Sequence, residues 1–477
     1  MTSLGPGGLC THIVRASATR RTIFAAAVVG IGIAIYQGLV RRWIRLRSGP
    51  SSCHVQAFAS TDASCWKYLA EGALNLTCKY VGDDPLLVGH VLRLRKHNPD
   101  ASKGASRINP YLEGKRFEEK VMLPLLGRRY VQPSIEVPLK KDFVRDVAQR
   151  IEKSRPKWRR LHGLDVQLKV GLLMTDNTEL PAVPGDVCVC VEIKVKCGYL
   201  PSSPWVTREV KRRVSAFQMH QQLKLAKGKE TVPSRYDPVD LFSADEGRVR
   251  KALTALVEVP QNNLQVFVNG KLLFPKSHSE GGFDAFAQVL QDAANFSGSA
   301  EDLLDVLVGI LQREPLLPRL LAAQMLDDCD VEVAGKVYKA ILARGGSIPP
   351  LADGPPLVTG QPRPESIPGD DDPDGQQELV RRFLVSKTAK DCSVMITLKP
   401  DTATCTNATS SVDQLLRGLP IKLVAERTVV RGFRGFAYSI AAVDLDPKPH
   451  KKMPHYLELD EEMAVTYELL ERSGKLL

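Results

Sequence analysis

Apolar and polar positions alternate from residue 66 onward, and this alternation predicts β-strands with one buried face. Residues 66–94 are expected to form a small β-unit, in which a tight Glu-Gly turn joins the first two strands and a turn at 82–85 precedes the third. Further strands are predicted over residues 187–197, 265–268, 394–398 and 436–443.

Apolar residues also recur at helical spacing between these strands. Phe143, Val147 and Ile151 fall on one stripe of a helix predicted over residues 140–154. Further helices are predicted over residues 118–126, 207–227, 247–257 and 303–311. The mixture predicts an α+β fold, and 477 residues with 43% apolar composition suffice for two or three domains or one large two-lobed unit.

One late stretch departs from both patterns. Residues 349–373 contain eight prolines and the acidic run 370–372, which predicts a linker or mobile insertion instead of core. Residues 401–411 are predicted to form a second soft loop.

The positive charge of the chain is unevenly distributed. The formal charge is +11, but the first 61 residues carry seven arginines and no acid, so the remainder accounts for 11 − 7 = +4. A mildly basic folded part argues against general coating of nucleic acid and directs attention to local clusters. The ten cysteines include no Cys-x-x-Cys pair, which indicates a reducing compartment, no disulfide framework and no zinc-site spacing.

The amino-terminal segment, residues 1–61, is compatible with three interpretations. Residues 22–40 are uncharged and lie between two Arg-Arg pairs, so a membrane anchor is one of them. The same Arg- and Ser/Thr-bearing, acid-free composition is typical of an organellar transit peptide. A mis-assigned start of the coding sequence is the third, and the segment is excluded from the fold prediction.

Two lysines on a predicted strand form the first candidate anion site. Alternation over 191–196 sends Glu192, Lys194 and Lys196 to the face opposite the core, where the two lysines would lie about 7 Å apart and repel unless an anion lies between them. Further cations follow at Lys211, Arg212, Arg213 and Lys224. The alternative is an ordinary solvated strand face.

Two carboxylates at strand ends are candidates for catalysis. Asp391 precedes the strand at 394–398, where it could orient an attacking hydroxyl or simply cap a turn. Asp444 follows the strand at 436–443 and is itself followed by a Lys-rich loop. This arrangement could combine a Mg²⁺ ligand with cations that bind phosphate oxygens, or it could be an ordinary solvated loop. The Glu-Gly turn at Gly72, with Arg93 on a following strand, could approach nucleotide phosphates or be an ordinary hairpin turn.

Six longer runs occur in the order EIKVKCGYLP, MHQQLK, YDPVDLFS, PQNNLQVFVNG, TAKDCSVMI and VDLDPKP. Their order and spacing resemble the inositol-pentakisphosphate 2-kinase family, plant members in particular, over roughly residues 64–467. The resemblance implies a two-lobed fold, distantly like protein kinases, with ATP in the cleft between a lobe at 62–178 and a lobe at 179–477. It further implies transfer of the γ-phosphate of ATP to the 2-hydroxyl of inositol 1,3,4,5,6-pentakisphosphate, which gives phytate.

The resemblance also implies roles for individual residues. The residues it assigns to ATP are Gly72, Ala73, Asn75, Arg93, Asp176 and Asn177. Those it assigns to the inositol phosphate are Trp158, Arg159, Lys194, Lys196, Lys224, Asn262, Asn263, Lys448, Lys452 and Tyr456. Asp391 would be the general base and Asp444 the Mg²⁺ ligand.

Several positions depart from the family pattern. Ala73 replaces the second glycine of the turn, and Gln265 replaces an arginine. Lys452 also replaces an arginine, a change that keeps the positive charge but loses the bidentate geometry. The Cys/His zinc knuckle of some plant members has no counterpart beyond Cys329, so no zinc is predicted.

We therefore expect a monomeric kinase that requires ATP and Mg²⁺ and binds no nucleic acid. The resemblance places it in the cytoplasm or nucleus, unless residues 1–61 direct it to an organelle or a membrane, which it would touch only through 22–40. The alternative is a non-catalytic inositol-phosphate or phosphoinositide sensor, which would not need both Asp391 and Asp444 among lysines.

Overall fold

The computed structural model describes residues 50–97, 110–180, 187–277, 281–292, 298–361, 365–401 and 428–477. The uncharged run at 22–40 and most of the loop predicted at 401–411 lie outside these residues. Within the described ranges, no helix combines the length and the apolarity needed to cross a membrane.

The first sheet is antiparallel and contains the β-unit predicted at 66–94. Its strands are β1 (Trp66–Glu71), β2 (Asn75–Tyr80), β3 (His90–Arg95), β4 (Ile135–Pro138) and β5 (Val170–Thr175), in the order β1-β2-β3-β5-β4. Alternate residues of β2, such as Leu76 and Cys78, are buried, as the pattern predicts. Gly72 N donates to Asn75 O at 2.9 Å and closes the Glu-Gly turn.

Two helices cover this sheet: α1 (Pro50–Ala59) and α4 (Phe143–Ile151), the latter inside the helix predicted at 140–154. The Phe58 ring lies 5.7 Å from Trp66 and 5.6 Å from Phe143, all three buried in one cluster. α1, which precedes the predicted start of the lobe at residue 62, therefore contributes apolar side chains to the core of this sheet.

The second sheet is also antiparallel. It contains β6 (Val189–Lys194), β7 (Leu264–Val268), β8 (Lys271–Phe274), β9 (Ser393–Pro400), β10 (Val430–Phe433) and β11 (Phe436–Val443), in the order β10-β11-β9-β6-β7-β8. Val191 and Ile193 of β6 enter the main core, whereas Cys190 packs with Phe267 and Met395 on the other face.

Helices pack around this second sheet. They are α2 (Pro110–Phe117), α3 (Leu123–Leu126), α5 (Ala216–Ala226), α6 (Pro238–Leu241), α7 (Glu246–Glu258), α8 (Phe283–Asp292), α9 (Ala300–Arg313), α10 (Leu316–Gln324), α11 (Asp330–Ala343), α12 (Pro373–Ala389) and α13 (Met453–Arg472). α9 begins at a capping box, in which Ser299 and Asp302 bond each other's backbone N–H. The helices predicted at 247–257 and 303–311 correspond to α7 and α9.

Two predicted helices differ from those observed. Helix 207–227 is split into a 3-10 turn at Glu209–Arg212 and α5, because the Ser215 side chain accepts from Gln218 N and caps a new start. The predicted helix 118–126 consists of a π-turn (Glu118–Met122), which continues α2, followed by α3. Met122 and Leu126 pack in the larger core, so this segment of the predicted first lobe belongs by packing to the second.

The proline-rich segment is irregular, as predicted, but it is not excluded from the core. Leu351 and Ala352 are buried in the main cluster, and Leu357 and Ile367 pack against it. Arg381 Nε donates to Leu351 O at 2.9 Å and holds the backbone to α12. The prediction of a linker fails here because scattered apolar residues bury between the prolines.

Candidate active site

The segment after β5 joins the two sheets. Thr397 Oγ1 on β9 donates to Asn177 O at 2.6 Å, and Cys190 Sγ on β6 contacts the same oxygen at 3.3 Å. On the other side of the junction, Arg93 of β3 pairs with Asp446, which follows β11. β3 and the loop after β11 are therefore in contact, and the region between the two sheets around this contact is termed the cleft.

A carboxylate between two lysines occupies the cleft side of the second sheet. Asp391 lies between α12 and β9, and its N–H donates to Thr388 O at 3.0 Å. Lys196 Nζ lies 3.2 Å from its Oδ1, and Lys448 Nζ lies 2.5 Å from its Oδ2. Burial alone would raise the pKa of Asp391, but the two lysines outweigh it and lower that pKa to about 2. Asp391 is therefore ionised.

The position of Lys196 corrects the strand argument. β6 ends at Lys194, and Lys196 has a φ of 56°, so strict alternation does not extend to it. Lys196 turns toward Asp391, whereas Lys194 stays near Glu192 on the sheet face. The two lysines therefore do not form a pair on one strand face.

A cavity of about 390 Å³ opens beside Asp391. Six residues assigned to catalysis or substrate by the sequence line it: Lys196, Lys224, Asn262, Asn263, Asp391 and Tyr456. The wall also contains His220, whose pKa falls to about 4 because it is buried beside Lys224, Lys196 and Lys387. Five lysines and four aspartates line the cavity, a formal charge of 5 − 4 = +1, and the lysines are the groups that a polyanion would bind.

Acidic groups gather at the end of β11. Asp444 is exposed, with a φ of 61°, directly after Val443. The half-buried Glu192 of β6 has a raised pKa, caused by burial and, more weakly, by Asp444, while Ser393 and Lys194 oppose the rise. The sequence placed Glu192 on this face but gave it no role. Carboxylate oxygens of this kind suit Mg²⁺, and Asp444 is the solvent-facing one.

Arg93 occupies the opposite wall of the cleft. Its guanidinium pairs with Asp446. The Asn75 amide is oriented so that its oxygen accepts from Arg93 Nε at 3.2 Å. The half-buried Glu118 nearby has a pKa raised to about 7, chiefly by burial, with Arg93 opposing the shift. Gly72 and Ala73 are exposed in the turn beyond.

Most of the chain matches one known protein family. A family model for inositol-pentakisphosphate 2-kinase matches residues 68–462. The chain belongs to this family. It is similar to the inositol-pentakisphosphate 2-kinases of Oryza sativa subsp. indica (32% identical), Arabidopsis thaliana (30%) and Danio rerio (30%), each over 85% of this chain and 93–94% of the relative. The family resemblance read from the six sequence runs is thus confirmed.

Within this inositol-pentakisphosphate 2-kinase family member, Asp176 supports the turn that joins the two sheets. Its carboxylate is buried, accepts from Thr178 N at 2.9 Å and lies 3.7 Å from Lys79 Nζ. The nucleotide contacts predicted for Asp176 and the neighbouring Asn177 remain predictions.

The aromatic–arginine pair lies on the first lobe. Trp158 is 74% exposed, and neither it nor Arg159 lines the cavity. Arg155 holds this segment, since its Nη2 donates to Arg159 O and His162 O, both at 2.8 Å. Its Nε and the same Nη2 also donate to the buried carboxylate of Glu71, next to Gly72, both at 2.9 Å. The Gly72 turn and the Trp158 segment therefore share one support, which sequence spacing gave no sign of.

Lys452 and Lys448 lie after β11. Lys452 is exposed at the end of a 3-10 turn (His450–Lys452) that leads into α13, and it does not line the cavity. Lys448 likewise does not line it but reaches Asp391. Contacts of Lys452, Trp158 and Arg159 with a substrate would thus require movement of the lobes or a ligand that projects from the cavity.

One carboxylate cluster has the spacing of a metal site. Among the described residues, Asp330, Glu332 and Asp460 form such a group. Lys211 Nζ lies 2.6, 3.1 and 2.7 Å from these three carboxylates, so a buried lysine already supplies the positive charge. The absence of zinc remains a prediction.

Proposed function

We propose that this protein transfers the γ-phosphoryl group of ATP to the 2-hydroxyl of inositol 1,3,4,5,6-pentakisphosphate and yields inositol hexakisphosphate. The observation that carries the proposal is the Asp391 carboxylate, clamped between Lys196 and Lys448 at the edge of a cationic cavity. Five phosphate groups, each with about −1.5 to −2 charge at pH 7, need such a concentration of cations.

Asp391 acts as the general base. With a pKa of about 2 it is ionised but accepts protons poorly. Substrate phosphates compete for Lys196 and Lys448, and each lysine that turns to a phosphate stops stabilising the carboxylate. The pKa of Asp391 then rises toward the value that burial favours. Substrate binding thereby switches the base on, and Asp391 takes the proton of the hydroxyl that it orients.

The nucleotide side of the cleft uses the first lobe. Arg93 and the Gly72 turn would contact the phosphates of ATP, and Asp444 would hold Mg²⁺, with Glu192 close to it on the sheet. Bound Mg²⁺ would neutralise charge that develops on the transferred phosphoryl group. The remaining task of the protein is to align the hydroxyl with that group, since this reaction needs little covalent help.

A non-catalytic inositol-phosphate sensor is the competing function. A binder gains nothing from Asp391, because an ionised carboxylate among phosphate-binding lysines repels the ligand. A kinase, in contrast, needs the Asp391 carboxylate at this position as its general base. We further propose that the protein works as a monomer in the cytoplasm or nucleus, which gel filtration and cell fractionation would test.

The test compares wild type, Asp391→Asn and the exposed-site control Asp371→Asn. Each is incubated with Mg·ATP and inositol pentakisphosphate, products are resolved by anion-exchange chromatography, and substrate affinity is measured by calorimetry. We expect Asp391→Asn to lose about 10²–10⁴-fold in kcat and to bind the substrate as well as wild type or better. A wild type that binds the pentakisphosphate yet forms no hexakisphosphate would establish the sensor instead.

A further inference from the structure

The lysines that line the cavity differ in how they are paired. Lys196 contacts Asp391 at 3.2 Å, Lys224 contacts Glu230 at 3.2 Å, and Lys390 contacts Asp327 at 2.7 Å. Lys211 is held by three carboxylates. Lys387 lines the same cavity, but it forms no ion pair or hydrogen bond with any residue in the described part of the chain.

Lys387 is nevertheless held in a defined place. It lies in the last turn of α12, one helical turn before Lys390, so the two side chains project on the same face. Its Nζ lies 5.0 Å from the centroid of the Tyr456 ring, in a cation–π contact. Burial and then the charge of Lys390 lower its pKa, against smaller opposing effects of Cys197, Asp460 and Asp391, so its positive charge is only partly compensated.

We propose that Lys387 is a substrate-binding and specificity-determining residue, which contacts one phosphate group of the inositol ring. An amine without a carboxylate partner inside a cationic cavity is stabilised when an anion enters. A phosphate monoester supplies that anion, and the Tyr456 ring keeps the amine aimed into the cavity. The inference rests on the proposed function, and it adds a residue that directly precedes the TAKDCSVMI run used to recognise the family.

The first test separates substrate contact from general damage. KM for inositol pentakisphosphate and for ATP is measured for wild type, Lys387→Met, Lys387→Arg and the exposed-lysine control Lys339→Met. We expect Lys387→Met to raise KM for the pentakisphosphate roughly 10- to 100-fold, because it removes a hydrogen bond between two charged groups. KM for ATP should stay within about twofold. Lys387→Arg should retain most of the affinity, and Lys339→Met should match wild type.

The second test identifies the phosphate. Calorimetric affinities of wild type and Lys387→Met are compared across inositol tetrakisphosphates that each lack one phosphate of the pentakisphosphate. One isomer should bind both proteins equally, because the contact that the substitution removes is already missing. The same loss for every isomer, an unchanged KM for the pentakisphosphate, or an equal rise in KM for ATP would overturn the assignment.

These outcomes are distinct from failure of the proposed function. A wild type that makes no hexakisphosphate refutes the kinase proposal, whereas an active wild type with an unaffected Lys387→Met refutes only the role of Lys387. If Lys387→Met melts at a lower temperature than wild type, Lys387→Gln supplies a polar replacement of similar length. The isomer comparison then applies to that variant.

Discussion

Removal of the Glu71 carboxylate should destabilise the first lobe strongly. Lys96 Nζ lies 2.6 Å from Glu71 Oε2, and Arg155 binds both oxygens of the carboxylate at 2.9 Å. The side chains of Glu71, Lys96 and Arg155 are 1%, 2% and 3% exposed. The substitution Glu71→Ala would leave two buried cations without their shared anion.

The loss of stability depends on the hydrogen bonds that Lys96 and Arg155 retain after the substitution. Breaking a buried pair by removing one partner costs about 3–5 kcal/mol. The lower end applies, since Arg155 keeps two backbone carbonyls and Glu152, and Lys96 keeps Gly72 O at 3.3 Å. A loss of about 3 kcal/mol corresponds to a fall of roughly 6–12 °C in Tm for a unit of 150–250 residues.

Thermal unfolding followed by circular dichroism provides the assay. Glu152→Ala is the control, because Glu152 contacts Arg155 at 3.3 Å but is 47% exposed, and exposed pairs contribute less than about 1 kcal/mol. Burial opposes the shift, but Arg155 and Lys96 lower the pKa of Glu71 below its ordinary value of 4.5. The contribution of Glu71 to the free energy of unfolding is therefore fully present above pH 4.5. It is lost as the pH falls through the lower pKa that Glu71 has in the folded state. Equal melting of the Glu71 and Glu152 variants at pH 7 would refute the reasoning.

Three further predictions concern the cleft. Glu118→Gln should raise Tm at pH 8 but hardly at pH 5. Burial lifts the pKa of Glu118 to about 7, so the folded state loses stability as the pH rises from 4.5 to that value. The exposed-site control Asp371→Asn, measured in the same melts, should show no such difference. Arg93→Lys keeps the positive charge but loses the guanidinium group that pairs with Asp446. Steady-state kinetics should therefore show a KM for ATP raised about tenfold, whereas an unchanged KM for ATP would remove Arg93 from the nucleotide site. Asp444→Asn should lower kcat by about 10²–10³-fold and recover in part at high Mg²⁺; full activity at low Mg²⁺ would contradict its role as a ligand.

Strands and helices whose patterns reflect local burial could be read from the sequence. β2, α4, α7 and α9 follow their apolar periodicity, since each buries one face against a single sheet or helix layer. α5 was missed at its start, because the Ser215 cap ends the preceding turn and the apolar pattern runs through it. The burial of Leu351 was missed because single apolar residues between prolines produce no period.

The candidate site was predictable only where one run of sequence carried the chemistry. Asp391 stood out at a strand end, but its pairing with Lys448, 57 residues later, depends on β9 and β11 being neighbours in the sheet. The alternation argument for Lys196 failed because a positive φ at the strand end redirects the side chain. Lys387 has no motif of its own, and its role emerges only when the partners of its neighbours are known.

The most direct test of the central claim is the position of the new phosphate group. Purified wild-type protein is incubated with Mg·ATP and inositol 1,3,4,5,6-pentakisphosphate, and the product is characterised by two-dimensional phosphorus–proton NMR. The account predicts inositol hexakisphosphate, with the sixth phosphate on the 2-hydroxyl and with product formation lost in Asp391→Asn. Recovery of the unchanged pentakisphosphate, or phosphorylation of a phosphate already present on the ring, would contradict it.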